Sequence, residues 1–283
     1  MKSAQRPDAA VLAKLSCAES LRRHWPEYLM EAAALGIFMI SAGLFTTLFE
    51  CPASKLHQWM PNGDIRRALI GLAMGGTAMA LIYSPWGKRS GAHMNPAVTI
   101  TFLRLGKIPL WDALFYMIFQ FLGGLAGVLL TALLLGRPFT TPPVNYVVTV
   151  PGPAGFAAAF CGELVIALIM MGMIMVVSNT PSIARLTGLF AGLLIISYVF
   201  FEAPLSGFGM NPARTLASAV PSGIWTALWI YLLAAPLGML AAAEAYLLVK
   251  SPDSILCCKL HHNHQRQCIF CGQSVLPSER IDA

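Results

Sequence analysis

One phrase is written twice in this chain. Met94-Asn95-Pro96-Ala97-Val98-Thr99-Ile100 returns as Met210-Asn211-Pro212-Ala213-Arg214-Thr215-Leu216. Each copy follows a glycine-containing approach, Ser90-Gly91-Ala92-His93 and Ser206-Gly207-Phe208-Gly209. Asn is a favoured helix N-cap and Pro a favoured first helical residue, so each Asn-Pro predicts a helix start. About nine residues follow Pro96 before Arg104-Leu105-Gly106-Lys107, roughly 13 Å of helix, which is near half of a ~30 Å hydrocarbon core. Two half-helices at matching places in two halves of a chain point to a transport pathway at the bilayer midplane.

Composition agrees with a membrane setting. Apolar residues make up 57% of the chain and charged ones 11%, against about 25% charged in a soluble domain. Six apolar runs of spanning length fall at 28–49, 68–86, 110–135, 155–177, 186–201 and 224–249, with the longest exposed loop at 136–153. A helix bundle follows, because lipid leaves no partner for an open strand edge. The predicted fold is an all-α membrane protein, six transmembrane helices plus two re-entrant half-helices. Its domains are an N-terminal tail (1–26), a channel domain (27–250, repeat halves about 27–135 and 155–250) and a Cys/His-rich tail (251–283).

The net charge of +6 is distributed as topology rather than as a nucleic-acid footprint. With the N-terminus inside, fourteen Lys/Arg fall inside, and only Lys55, Arg66, Arg67 and Arg137 outside. The positive-inside rule therefore places both termini in the cytoplasm of a plasma (inner) membrane protein. The first 27 residues are polar and carry no apolar core of a cleavable signal peptide. Residues 11–23 have an amphipathic pattern that suits the inner membrane surface.

The halves break after the third span. Glu31 in the first span has its counterpart in Glu163 of the fourth, and an odd number of spans per half inverts the second half. The two half-helices then enter from opposite faces and meet end to end. If Asn95 and Asn211 cap them, each side-chain oxygen is used at the helix start and the amide NH2 is left to donate into a lumen. Facing donors hold a water by its oxygen and prevent a proton relay. The two helix N-termini add roughly half a positive charge each against cations. The plainer reading, that Asn-Pro merely caps two short helices, fits one copy better than two inverted ones.

These residues resemble the aquaporin, or major intrinsic protein, family. The likeness rests on the two boxes, on Arg214 after only the second, on Glu31 and Glu163, and on Gln120-Phe121-Leu122-Gly123-Gly124, and covers roughly residues 27–250. It implies a right-handed six-helix bundle, a homotetramer with one pore per subunit, and water and small neutral solutes as what passes. It implies no cofactor for transport. Backbone carbonyls of Gly91, Ala92, His93, Ser206 and Gly207 would line the pore, while Glu31, Glu163 and Gln120 would support the re-entrant loops. Counting back from the boxes gives a family filter of Gly75, Val199, Phe208 and Arg214. Strict water channels usually carry an aromatic residue and a histidine at the first two places. The ring counted here is wider, which points to solutes of glycerol, urea or metalloid-acid size, with a strict water channel as the alternative.

The tail lies outside the family pattern. Four of the seven cysteines, Cys257, Cys258, Cys268 and Cys271, are interleaved there with His261, His262 and His264. Cys258, His261, Cys268 and Cys271 have the compactness of a structural zinc site, with His262 or Cys257 as replacement ligands. A disordered tail with incidental cysteines is the competing reading. An intramembrane enzyme is disfavoured, since no acid, base and nucleophile converge beside the boxes. A structural or metal-sensing membrane protein has the tail as its only support.

Overall fold

The computed structural model describes residues 15–262 and 267–272. The charges at Lys2, Arg6, Lys14, Arg266 and Arg280, and His264, fall outside the described residues. Eight helices carry the architecture. They are α1 (Cys17–Glu50), α2 (Gly63–Tyr83), the half-helix α3 (Pro96–Arg104), α4 (Leu110–Leu135), α5 (Gly155–Ser178), α6 (Thr187–Phe201), the half-helix α7 (Pro212–Ser222) and α8 (Leu228–Val249). Among the described residues, six helices are long and apolar enough to cross a membrane, the fifth counted from Ala184. The chain is an integral membrane protein.

Local chemistry sets the helix ends. α1 starts at a capping box in which the Ser16 hydroxyl accepts the Glu19 backbone N–H and the Glu19 carboxylate accepts from Ser16. That box makes residues 17–23 of the amphipathic stretch the first turns of α1, continuous with the spanning helix, while residues 11–14 lie outside the described residues. Asn62 caps α2 through the N–H groups of Asp64 and Ile65, moving its start ahead of the predicted 68. Ser84-Pro85 ends it, because the residue before a proline is driven out of the α region.

The packing repeats with the inverted symmetry read from the sequence. α1 lies against α4 as α5 lies against α8, and α2 lies against α6 where the halves meet. Each half-helix packs against the third span of the other half, α7 on α4 and α3 on α8. Tight contacts use glycine: a Cβ on Gly123 would fall 2.1 Å from the Ala32 carbonyl oxygen, so α1 and α4 touch backbone to backbone there. Leu133, Leu134 and Phe201 face outwards, as a lipid-exposed or subunit-facing surface requires. The loop after α4 folds back over the second half-helix and brings Thr149 to Arg214.

Candidate functional site

Both asparagines sit where the sequence put them, at the N-caps of α3 and α7. Asn95 Oδ1 accepts the Ala97 N–H at 2.9 Å, and Asn211 Oδ1 accepts from Ala213 and Arg214 at 3.0 and 3.2 Å. Pro96 and Pro212 occupy the first helical position and Ala97 and Ala213 follow, buried. The amides are not wholly free, as the sequence suggested. Asn95 Nδ2 donates to the Met210 carbonyl at 2.8 Å, and Asn211 Nδ2 donates to the Met94 carbonyl at 2.6 Å. A carboxamide has two N–H groups, so each asparagine keeps one for the lumen. Both asparagines line one cavity.

Two buried carboxylates hold the approaches. Glu31 Oε1 accepts from the Ser90 hydroxyl and the His93 N–H at 2.7 and 3.1 Å, and its Oε2 from the Met94 N–H and Gln120 Nε2 at 2.6 and 2.9 Å. Glu163 repeats the pattern, accepting at 2.5 Å each from the Ser206 hydroxyl and the N–H groups of Gly209 and Met210. A tyrosine clamp is repeated as well: Tyr116 donates to the Ser90 carbonyl at 2.6 Å and Tyr231 to the Ser206 carbonyl at 2.5 Å. Sequence reading missed the tyrosines; their signal was a Tyr in the first two turns of the third span of each half. The left-handed backbone that turns the carbonyls repeats too, at Ala92 and Met94 and at Phe208 and Met210.

The lumen has two compartments. A narrow cavity of about 90 Å³ runs past Ala92, His93, Met94, Asn95, Gly209, Met210 and Asn211 to Phe208 and Arg214. Beyond these lies a vestibule of about 410 Å³, lined in part by Met74, Val199 and Gly207. Phe208 and Arg214 border both compartments and so mark the constriction between them. Arg214 donates from a guanidinium N–H to the Thr149 hydroxyl, a partner contributed by a loop far away in sequence.

Three expected pore positions are corrected. Gly75 faces α6, not the lumen: a Cβ there would lie 2.5 Å from both the Gly192 oxygen and Ile196 Cγ1. Met74 lines the vestibule in its place. Counting back from Asn95 crosses the irregular segment 84–94, and a one-residue difference in that segment turns the helix by about 100°. The other two, Gly91 and Ser206, border neither compartment, and each of their carbonyls already accepts one hydrogen bond. The Gly91 oxygen accepts the Leu260 N–H at 3.1 Å, and the Ser206 oxygen accepts from Tyr231. Ala92 and His93 border the narrow cavity and Gly207 the vestibule. The His93 ring is packed and bonded, with Nδ1 3.0 Å from the Thr99 hydroxyl and Nε2 2.8 Å from the Cys258 carbonyl, which fixes the proton on Nε2.

The family model described as Major intrinsic protein matches residues 20–246. This chain belongs to that family. It is 36% identical over 227 residues to a probable aquaporin NIP-type of Nicotiana alata, covering 80% of this chain and 78% of the relative. It is likewise 36% identical over 217 residues to aquaporin NIP1-1 of Arabidopsis thaliana, covering 76% and 73%. In fold it is similar to the X-ray structure of the aquaglyceroporin from Plasmodium falciparum, with a TM-score of 0.66 at 23% identity over 82% of this chain and 98% of that one.

The tail carries a second site beyond the family match. Among the described residues, one group of ligating side chains converges: Cys257, His262, Cys268 and Cys271, whose ligand atoms all lie within 4.8 Å of one another. This Cys/His cluster can hold a metal ion. The Cys257 and Cys268 sulfurs are 3.8 Å apart, and His262 Nε2 is 3.0 Å from the Cys271 sulfur. A tetrahedral ion with Zn–S bonds of about 2.3 Å requires sulfur–sulfur edges of about 3.8 Å. Two of the four expected ligands are therefore replaced. Cys258 is fully buried and gives its carbonyl to His93, while the His261 ring packs edge-on to Tyr83 at 5.1 Å. Burial, with Lys88 and His262 nearby, holds the His261 imidazole down to about 4.

Proposed function

We propose that the chain is a passive pore for water and small uncharged solutes that rejects protons and ions. The observation that carries this reading is the midplane pair of capped half-helices. Each turns one amide N–H and its positive helix end into a single continuous cavity. A water crossing that point is held by its oxygen, so its hydrogens cannot relay a proton. The family is one of channels, not enzymes. Glu31 and Glu163, fully engaged with loop N–H groups, serve as scaffold and not as acid or base.

The filter we assign is Met74, Val199, Phe208 and Arg214. Arg214 supplies a fixed charge and N–H donors, while the other three supply carbon. Such a ring suits a solute with hydroxyl or amide groups on one side and carbon on the other, in the range of glycerol, urea and metalloid acids. A methionine is bulkier than the glycine expected from sequence but flexible enough to yield. The name of the structural neighbour, an aquaglyceroporin, supports the glycerol reading. A stopped-flow panel of water, glycerol, urea and a metalloid acid in proteoliposomes tests it. Water flux without any solute flux above empty vesicles would reduce the assignment to a strict water channel.

The same reading places the protein in the plasma (inner) membrane with both termini cytoplasmic, from the excess of Lys/Arg on that side. It makes the protein a homotetramer embedded in lipid with one pore per subunit, as in the family. The ion suited to the tail cluster is Zn2+, because three thiolates and one imidazole at tetrahedral spacing match its structural sites.

A further inference from the structure

The described part of the tail does not hang free of the channel. Ile255, Cys257, Cys258, Leu260, Cys268 and Phe270 are buried in the same core as the channel helices. The backbone is fastened along its length. The Leu256 N–H donates to Asn179 at the end of α5 at 2.8 Å, His93 donates to the Cys258 carbonyl, and the Leu260 N–H donates to the Gly91 carbonyl. Phe270 on the returning arm meets the Tyr116 ring at 5.9 Å. Gly91, His93 and Tyr116 all belong to the approach and support of the first box, so the tail is docked on conducting machinery.

Leu260 goes further and lines the narrow cavity together with Ile82, Ala92 and His93, and it does not border the vestibule. Its branched apolar side chain takes up space in that cavity, and its backbone N–H occupies the Gly91 carbonyl. Cys257 and His262 bracket the four residues 258–261 that make these contacts, and Cys268 and Cys271 join them from the other arm. An ion bound by all four closes the base of this loop and presents Leu260 as a rigid knob. Without it, the segment keeps only its contacts with the channel, and the returning arm is no longer tied to it.

We propose that the tail is a zinc-held cap on the cytoplasmic mouth: Zn2+ at Cys257, His262, Cys268 and Cys271 holds Leu260 in the pore, and loss of the ion opens it. This rests on the channel and zinc readings above. Zinc binds the capped state, so its free concentration sets the fraction of closed pores.

The test uses the full chain in proteoliposomes, with zinc content and solute flux measured on the same sample. Zinc-loaded protein is expected to hold one equivalent per subunit and to conduct slowly. A membrane-permeant zinc chelator should raise flux, about tenfold if the cap keeps nine in ten pores closed, and added Zn2+ but not Mg2+ should reverse this. Leu260→Ala should keep its zinc yet conduct quickly. Cys268→Ser with Cys271→Ser should lose zinc and conduct quickly with or without chelator. One equivalent of zinc with flux indifferent to its removal and to Leu260→Ala overturns the cap and leaves the zinc site standing. Zinc well below one equivalent overturns the site and the cap together. Flux at the empty-vesicle level in every form overturns the channel reading, and the cap with it.

Discussion

The two buried glutamates offer a balanced test of the scaffold. Replacing Glu163 by Gln turns one oxygen into an NH2. The remaining oxygen can keep the Ser206 hydroxyl and the Gly209 N–H, which share Oε1, but the Met210 N–H then faces a donor. Glu31→Gln costs at least as much. With the NH2 at the Oε2 position, the Met94 N–H faces a donor, and Gln120 can turn its Oε1 toward that NH2 only by giving up its Nε2 bond to the Thr99 hydroxyl. Each substitution strands one buried backbone N–H, about 1–3 kcal/mol, and weakens the surviving charge-assisted bonds. A loss of about 2 kcal/mol corresponds to about 4–8 °C in Tm for a chain near this size. Thermal unfolding in detergent reads the shift, and proteoliposome flux should fall with the loss of loop order. Glu31→Gln is expected to lose at least as much as Glu163→Gln. Unchanged Tm and flux in both would refute the reasoning, because a carboxylate fully engaged with N–H donors cannot lose one acceptor without cost.

Other perturbations separate ring from packing. Met74→Phe with Val199→His should suppress glycerol-sized flux while sparing water, measured by stopped-flow light scattering; equal loss of both would remove these residues from the filter. Gly75→Ala should lower folded yield and thermal stability, by about 1–3 kcal/mol as overpacking against the Gly192 backbone, without a selectivity change. Arg214→Val, which copies Val98 of the first box, should keep neutral flux and admit a modest leak of protons or small cations. A pH-sensitive dye inside the vesicles reports it, and a variant as cation-tight as wild type would contradict a role for Arg214 in exclusion. The leak stays modest because both half-helix ends still oppose cations.

What was legible in the sequence was what local chemistry decides. Asn-Pro twice, Glu31 matched by Glu163, and an odd number of spans per half give the inverted bundle, since caps, spanning length and parity each act over short stretches. Gly75 and the two tail ligands miss by one residue each, where regular structure fails. Gly75 was reached by counting through 84–94, which is not one continuous helix, and Met74 is its neighbour. In the tail, Cys258 and His261 were chosen where Cys257 and His262 converge. Neighbouring residues of a non-helical segment point to different sides, and only packing on His93 and Tyr83 decides which side turns inward. Thr149 and Leu260 were unreadable for another reason. Their partners, Arg214 and Gly91, lie far away in the chain, and no periodicity links them.

The reciprocal bonds at the midplane, Asn95 to Met210 and Asn211 to Met94, decide more than how a water is oriented. They stitch each repeat to the backbone of the other at the centre of the molecule. A transporter that alternates its openings must let its repeats rock about that centre, and each cycle here would break both stitches. Held together at its centre in this way, the molecule is arranged to stand still while solute passes, as a channel of its family does. Solute moves only down its own gradient, and the protein can set the rate but never the direction.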